Sequence, residues 1–501
     1  MSPFDLYTAG LSNVFVPEVI FMLLVGTIAG VIIGALPGLT AIMGVAIMTP
    51  LTFGMSTEMS FALLLGVFSG GVYGGSMTAV LANIPGTPSS MMTALDGYPL
   101  GQRGEAGKAI GMATVASFIG GIISVVILSI FAPYIARVAL NFSAQEYFSV
   151  AVFGLAVIAF ISNGSMIKGI LSGCIGLLIA SIGMDQMSGF ERFTFGSAEL
   201  LSGLELIPVL IGIFGLGEIL IVASASLKGV KTNKQIGRII PTKKELKSNI
   251  LTIFRGSAIG SFIGAVPASG GTIGGIIAYG LEKRISRNPE KFGTGTLKGV
   301  AAPESANNAT TGGAMIPMLT LGIPGDAITA LLIGALILHG LQPGPLLFEN
   351  NPDTVSMIFI LLALSNFVFL GVGLLGARVI SKVMDTPMGI LLPIILVLCV
   401  VGTYSIRNSF FDIGVLIFFG VVGFLFNKLD VPAAPLVLGF ILGPLVETNL
   451  RRSLVLSEGD LMVFFTRPIS GAFLVLTVLI FVAPLLSKLF KKKRTETNLK
   501  L

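Results

Sequence analysis

Long apolar runs, interrupted by short polar stretches rich in proline and glycine, set the pattern of this chain. Windows such as 16–36, 110–136, 206–225 and 473–489 reach the roughly 20 residues that a spanning helix needs. They are continuously apolar, which excludes the short alternating segments of a β-barrel. The spacing predicts helices at about 16–36 and 40–54, then a broken crossing at about 59–100. Helices follow at about 108–136, 145–162, 166–183 and 205–226. The order then recurs: a pair at about 250–268 and 271–281, a broken crossing at about 300–347, and helices at about 355–382, 388–404, 410–427 and 434–448. A last helix is expected at 468–489. The expected class is an all-α polytopic membrane protein.

The polar interruptions match between the halves. The first runs from Gly34, Pro37 and Gly38 to Asn83, Pro85, Gly86, Thr87, Pro88, Ser89 and Ser90. The second runs from Gly264, Pro267 and Gly270 to Gly322, Pro324, Gly325 and Asp326. Between these ends, Gly74, Gly75, Ser76 and Met77 echo Gly312, Gly313, Ala314 and Met315. Irregular backbone at membrane depth survives only where protein or a water-filled cavity satisfies it. Two such breaks in corresponding positions point to a transporter's binding site. Single small-residue patterns, such as Gly26, Gly30 and Gly34, are by themselves ordinary helix packing.

Charge turns this duplication into a topology. Residues 1–102 hold no Lys or Arg. Lys228, Lys231, Lys234, Arg238, Lys243, Lys244 and Lys247 precede the second segment, and Lys283, Arg284, Arg287, Lys291 and Lys298 lie within it. Cytoplasmic loops collect Lys and Arg, so the flanks of the first segment read as outside and those of the second as inside. The expected architecture is two inverted-topology repeats whose broken helices or hairpins meet at the bilayer midplane, plus one extra C-terminal helix. The expected divisions are 16–226 and 250–449 for the repeats, 227–249 for a basic cytoplasmic loop, 468–489 for the extra helix and 490–501 for a basic cytoplasmic tail. The N-terminus is expected outside. It carries no Lys or Arg before its first apolar run, unlike a cleaved signal peptide. Whether the paired segments span or re-enter stays open.

Composition agrees. Of 501 residues 53% are hydrophobic and 11% charged, against about 25% charged in soluble domains. The net charge of +6 lies in loops and the tail (Lys488, Lys491, Lys492, Lys493, Arg494), which orients the chain and does not point to nucleic acid. Cys174 and Cys399 both lie in apolar runs and read as packing residues.

The second break reads Pro303, Glu304, Ser305, Ala306, Asn307, Asn308, Ala309, Thr310, Thr311, Gly312, Gly313. Amides and hydroxyls can bond substrate carboxylates or give oxygen ligands to Na⁺, and broken-helix N-termini aim N–H groups at anions. The candidate substrate residues are Asn83, Thr87, Ser89, Ser90, Ser305, Asn307, Asn308 and Thr310. Each Ser or Thr taken singly can instead bond back to its own helix. Glu304 and Asp326 are the candidates for ion coupling, and Asp326 could equally cap a helix starting at 327. Pro37, Gly38, Pro85, Gly86, Pro267, Pro324 and Gly325 are the expected backbone breaks. His339 is the only histidine, which leaves no His-rich metal constellation. Gly104 to Lys108 lacks the parts of a P-loop. Gly325 and Asp326 match a fragment of an intramembrane protease motif, with no second aspartate to complete it.

At 34–40, 83–90, 303–309 and 321–326 the chain resembles the large membrane subunit of tripartite tricarboxylate transporters, the TctA-like family. The resemblance covers roughly 16–450. It implies a bacterial inner-membrane permease driven by an ion gradient, Na⁺ or H⁺, with no other cofactor. It implies a small membrane subunit, a periplasmic solute-binding protein, and di- or tricarboxylates such as citrate as substrates. The alternatives are a channel-like or exporting pore for anions, a non-transporting scaffold or receptor, and an intramembrane enzyme.

Overall fold

The computed structural model describes residues 10–161, 165–224, 236–267 and 270–482. Lys228, Lys231, Lys234, the peptide 268–269, the end of the last expected helix at 483–489 and the tail 490–501 lie outside the described residues.

Helix α1 (Pro17–Ala35) opens on a proline and stops at Leu36, whose extended backbone precedes Pro37. Thr40 caps α2 (Ala41–Leu51) by accepting the Met43 N–H at 3.2 Å. At about 1.5 Å per residue α2 covers some 16 Å, too little to cross a hydrocarbon core of about 30 Å. Next comes α3 (Thr57–Ala82), which ends at Asn83 in the left-handed conformation, φ 57°. A turn at Pro88–Ser90 leads to α4 (Met91–Leu100). The loop expected after α4 is instead a π-helical turn, Gly101–Glu105, which only Gly104 (φ 78°) interrupts. It joins α4 to α5 (Ala106–Ala139). Helices α6 (Ala144–Ile161), α7 (Met166–Ala180) and α8 (Leu206–Ser224) follow.

The second half repeats the order with α9 (Lys243–Ala265), α10 (Gly270–Ile285), α11 (Leu297–Leu321) and α12 (Ala327–Leu338). Helix α9 starts seven residues before the expected 250, because Thr242 and Glu245 form a capping box. The remaining long helices are α13 (Pro352–Val383), α14 (Met388–Arg407), α15 (Phe410–Lys428), α16 (Ala434–Leu456) and α17 (Pro468–Val482). Seven helices among the described residues are long and apolar enough to cross a membrane. The chain is therefore a multi-pass membrane protein. A two-residue antiparallel pair, Gly183–Met184 with Glu191–Arg192, is a small addition to the helices.

One expectation fails. The polar segment 303–313 is no break: it is continuous helix inside α11. Its hydroxyls bond back within the helix, and so does the Asn308 N–H group, to the Glu304 carbonyl at 3.4 Å. Ser305, Thr310 and Thr311 bond back to the carbonyls of Ala302, Asn307 and Asn308. Pro303 sits where it removes a single backbone bond. The real interruption is Gly322–Asp326.

The chain divides into two compact units, 1–140 with 205–425 and 141–204 with 426–501, each drawing on both halves of the sequence. In the first, α1 packs on α3 through a glycine stripe. A Cβ on Gly26, Gly30 or Gly34 would overlap the carbonyl oxygens of Leu63, Val67 and Gly71. In the second half Gly256, Gly260 and Gly264 meet the carbonyl oxygens of Ala302, Ala306 and Thr310 in the same way. The glycines are offset by 230 residues and their partners by 239. The stripe is thus helix packing, as its pattern alone suggests, and it is built twice. Helices α2 and α10 lie against α3 and α11 respectively.

In the second unit, Gly173, Gly176, Gly439 and Gly443 bring α7 and α16 into close contact. Arg451 and Arg192 pair with Asp185 and Glu447 at one end of these helices. The N–H groups of Ser188 and Met187, together with Arg451, hold the Asp185 carboxyl well below its usual range. At the other end Lys168 donates to the Leu429 carbonyl at 2.6 Å.

Candidate functional site

The functional elements lie in the first unit, where the two interrupted helices fold back on the long helix before them. Gly86 packs against the Gly34 carbonyl and the Cα of Gly75, and its N–H faces the Gly75 carbonyl at 3.3 Å. A side chain at 86 would strike backbone on two sides. Gly325, 239 residues later, has Ala314 Cα 2.6 Å from where its Cβ would sit. Asn83 and Gly322 occupy matching left-handed C-caps, φ 57° and 69°. Pro85 and Pro324 follow and stop each helix from resuming. Pro37, Gly38 and Pro267 lie in the turns of the two helix pairs, with Gly38 at φ 87°.

Beyond Gly86 the chain presents three hydroxyls. Thr87 Oγ1 lies 2.9 Å from Ser89 Oγ and 3.1 Å from Ser90 Oγ. Gly75 makes room beneath them: a Cβ there would lie 2.6 Å from Thr87 Oγ1. Ser89 then meets the second half. The point a Gly271 Cβ would occupy is 3.1 Å from Ser89 Cβ, 3.2 Å from Thr310 Oγ1, and against Asn307 Oδ1. Three elements therefore converge on one bare glycine: the first break, the start of α10 and the middle of α11. Asn307 also donates to the Val72 carbonyl of α3 at 3.4 Å.

On α3 and α11 two buried polar atoms have no protein partner. They are Asn308 Oδ1 and Ser76 Oγ, on residues only 1% exposed. An unsatisfied buried acceptor costs about 1–3 kcal/mol. An amide oxygen left free in this way suits a small hard cation or a ligand hydroxyl.

Glu304 is fully buried. Thr93 of α4 donates to its Oε1 at 2.5 Å and Ser117 of α5 to its Oε2 at 3.0 Å. Asp326 caps α12: its Oδ1 accepts the Thr329 N–H at 2.7 Å, and Thr329 Oγ1 accepts the Asp326 N–H at 2.8 Å. Of the two roles open to Asp326 in sequence, the cap is the one with partners.

Not every candidate joins the cluster. Thr87, Ser89, Ser90, Asn307 and Thr310 gather around Gly75 and Gly271. Ser305 turns elsewhere, with its hydroxyl against Gly256 and its carbonyl against Gly120, a packing position between α9 and α5. Asn83 is an exposed helix cap. Sequence reasoning passed over Thr93, Ser117 and Gly271. Only the last carried a signal, as the glycine expected to open the second helix of the second pair. His339 faces Thr52 at 3.5 Å and Phe61, a packing position.

Two interrupted helices folded on long partners, with polar side chains of the first break gathered against α10 and α11, are the parts of a membrane transporter. The chain belongs to the tripartite tricarboxylate transporter TctA family, whose model matches residues 20–438. It is thus one component of a tricarboxylate transporter that works with partner subunits. It is similar to an Agrobacterium vitis protein described as an uncharacterized 52.8 kDa protein in the TAR-I ttuC' 3' region, 38% identical over 486 residues, 97% of this chain and 96% of that protein. A second A. vitis protein, described as an uncharacterized protein in the TAR-II ttuC' 3' region, is 39% identical over 236 residues, 47% of this chain and 97% of that protein. No solved structure matches the chain.

Proposed function

We propose that this chain is the permease of a secondary active system that imports di- or tricarboxylates, citrate-like organic anions, across the bacterial inner membrane. A cation gradient drives it, Na⁺ rather than H⁺. A periplasmic solute-binding protein delivers the anion and a small membrane subunit completes the complex. The observation that carries the reading is the convergence of Ser89, Asn307 and Thr310 on Gly271. It joins hydroxyl-bearing side chains and an amide oxygen from both halves of the chain at one point. Thr87 and Ser90 add two hydroxyls on one side.

The free oxygen of Asn308 favours cation coupling, since an anion site alone calls for donors. Glu304 and Asp326 are the carboxylates we assign to coupling. Among the described residues, the loop contacts support the inverted arrangement. Arg103 with Thr294 and Lys298 with Glu282 join segments that the charge pattern puts inside. Thr52 with His339 and Glu205 with Arg407 join segments that it puts outside.

Replacing Asn308 by Ala is expected to abolish Na⁺-driven uptake of labelled citrate while membrane expression is kept. Unchanged uptake kinetics would reject the assignment. A channel-like pore, the competing reading, would pass the anion with no Na⁺ dependence and no counterflow.

A further inference from the structure

Asp96 of α4 is fully buried, and its carboxylate takes bonds from four groups outside its own helix. The Tyr279 hydroxyl of α10 donates to Oδ2 at 2.9 Å. The Gly293 N–H lies 3.0 Å from both oxygens, and the N–H groups of Gly295 and Thr296 donate to Oδ1 at 2.8 Å. The three amides belong to the loop that leads into α11. Gly293 and Gly295 have φ of 86° and 104°, a backbone that turns successive N–H groups toward one point and builds an anion nest. The positive end of α11 adds to it. Space beyond the carboxylate is closed, because a Cβ on Gly299 would overlap Oδ2. Arg103, past α4, holds the same loop through the Thr294 carbonyl at 2.5 Å.

One turn before Asp96, Thr93 bonds Glu304 farther along α11. Helix α4 is therefore fixed at two points, to the loop that leads into α11 through Asp96 and to α11 itself through Thr93. Because α4 follows directly on Pro88–Ser90, those points set where Ser89 stands. Charge-assisted bonds of this kind are about twice as strong as neutral ones.

We propose that Asp96 is a positioning residue of the transport site: its carboxylate fills the nest at the head of α11 and so fixes Ser89 of the first break against Asn307 and Thr310. Its kinetic consequence rests on the transport reading given above; its geometric consequence does not.

Crosslinking tests the geometry without transport. In a chain lacking Cys174 and Cys399, Ser89→Cys with Gly271→Cys brings two Cβ positions to 3.1 Å, near the roughly 3.5–4.5 Å of a disulfide. This pair should oxidise readily in membranes. Adding Asp96→Asn is expected to slow oxidation about tenfold or more, the effect of losing a charge-assisted bond. Gly299→Ala, which crowds the carboxylate but keeps its charge, should do the same. Tyr279→Phe leaves the three amides in place and should have a smaller effect in the same direction. Should Asp96→Asn fail to reach the membrane, the other two variants still decide. Equal oxidation rates in all backgrounds would overturn the proposal. In the otherwise native chain, Tyr279→Phe and Gly299→Ala should raise KM for uptake while leaving kcat near its native value; a fall in kcat alone would also overturn it. Slowed crosslinking together with normal uptake in Asn308→Ala would keep the geometry and reject the transport reading.

Discussion

Asp326 caps α12 and is also one of the two carboxylates proposed for coupling. Its Oδ1 accepts the Thr329 N–H at the start of α12, and Thr329 returns a bond to the Asp326 N–H. Asparagine caps helices about as well as aspartate, whereas alanine costs about 1 kcal/mol. Asp326→Asn therefore separates the cap from the charge. The expected result is an unchanged thermal midpoint in detergent with loss of Na⁺ activation of uptake. If Na⁺ activation persists, Asp326 is a cap alone and coupling falls to Glu304. Glu304 differs in kind, since hydroxyls from two other helices occupy both of its oxygens. These partners lie 211 and 187 residues away in sequence. Nothing local marks Thr93 or Ser117 as ligands of a carboxylate, so the sequence shows that Glu304 needs company but not whose.

Among the elements, the interruptions at 83–87 and 322–326 are legible because each pairs a left-handed cap with proline and glycine, and these residues act locally. The error at 303–313 has an equally local cause. A dense run of polar residues inside apolar sequence looks like irregular backbone. Yet Ser, Thr and Asn can bond the carbonyl one turn back and leave a helix intact. Ser305, Thr310, Thr311 and Asn308 all do so. Polarity thus signalled that α11 is special without signalling its conformation. The glycine stripes of α1 and α9 show the reverse. Their spacing marks the packing face, while the opposing carbonyls of α3 and α11 are set by the tertiary fold.

Matching glycine contacts recur in both halves, and the charge pattern is the basis on which we propose that those halves lie in opposite orientation. That arrangement has a direct labelling consequence. In a chain lacking Cys174 and Cys399, cysteines replacing Ser56 and Lys243 should react with membrane-impermeant thiol reagents from opposite sides of the bilayer. Labelling from one side would remove the inverted arrangement. Ser56 caps α3 and Lys243 opens α9, so both report on the ends of the duplicated elements. The division into two compact units was not visible along the chain, because each unit is assembled from both halves.

Substrate protection of Ser89 tests the central claim most directly. With Ser89→Cys in the background lacking Cys174 and Cys399, the rate of alkylation is measured in membranes with Na⁺ present, with and without a tricarboxylate. The account predicts that the anion slows alkylation at 89 and leaves a control cysteine at 56 untouched. Equal rates at 89 with and without the anion would contradict it.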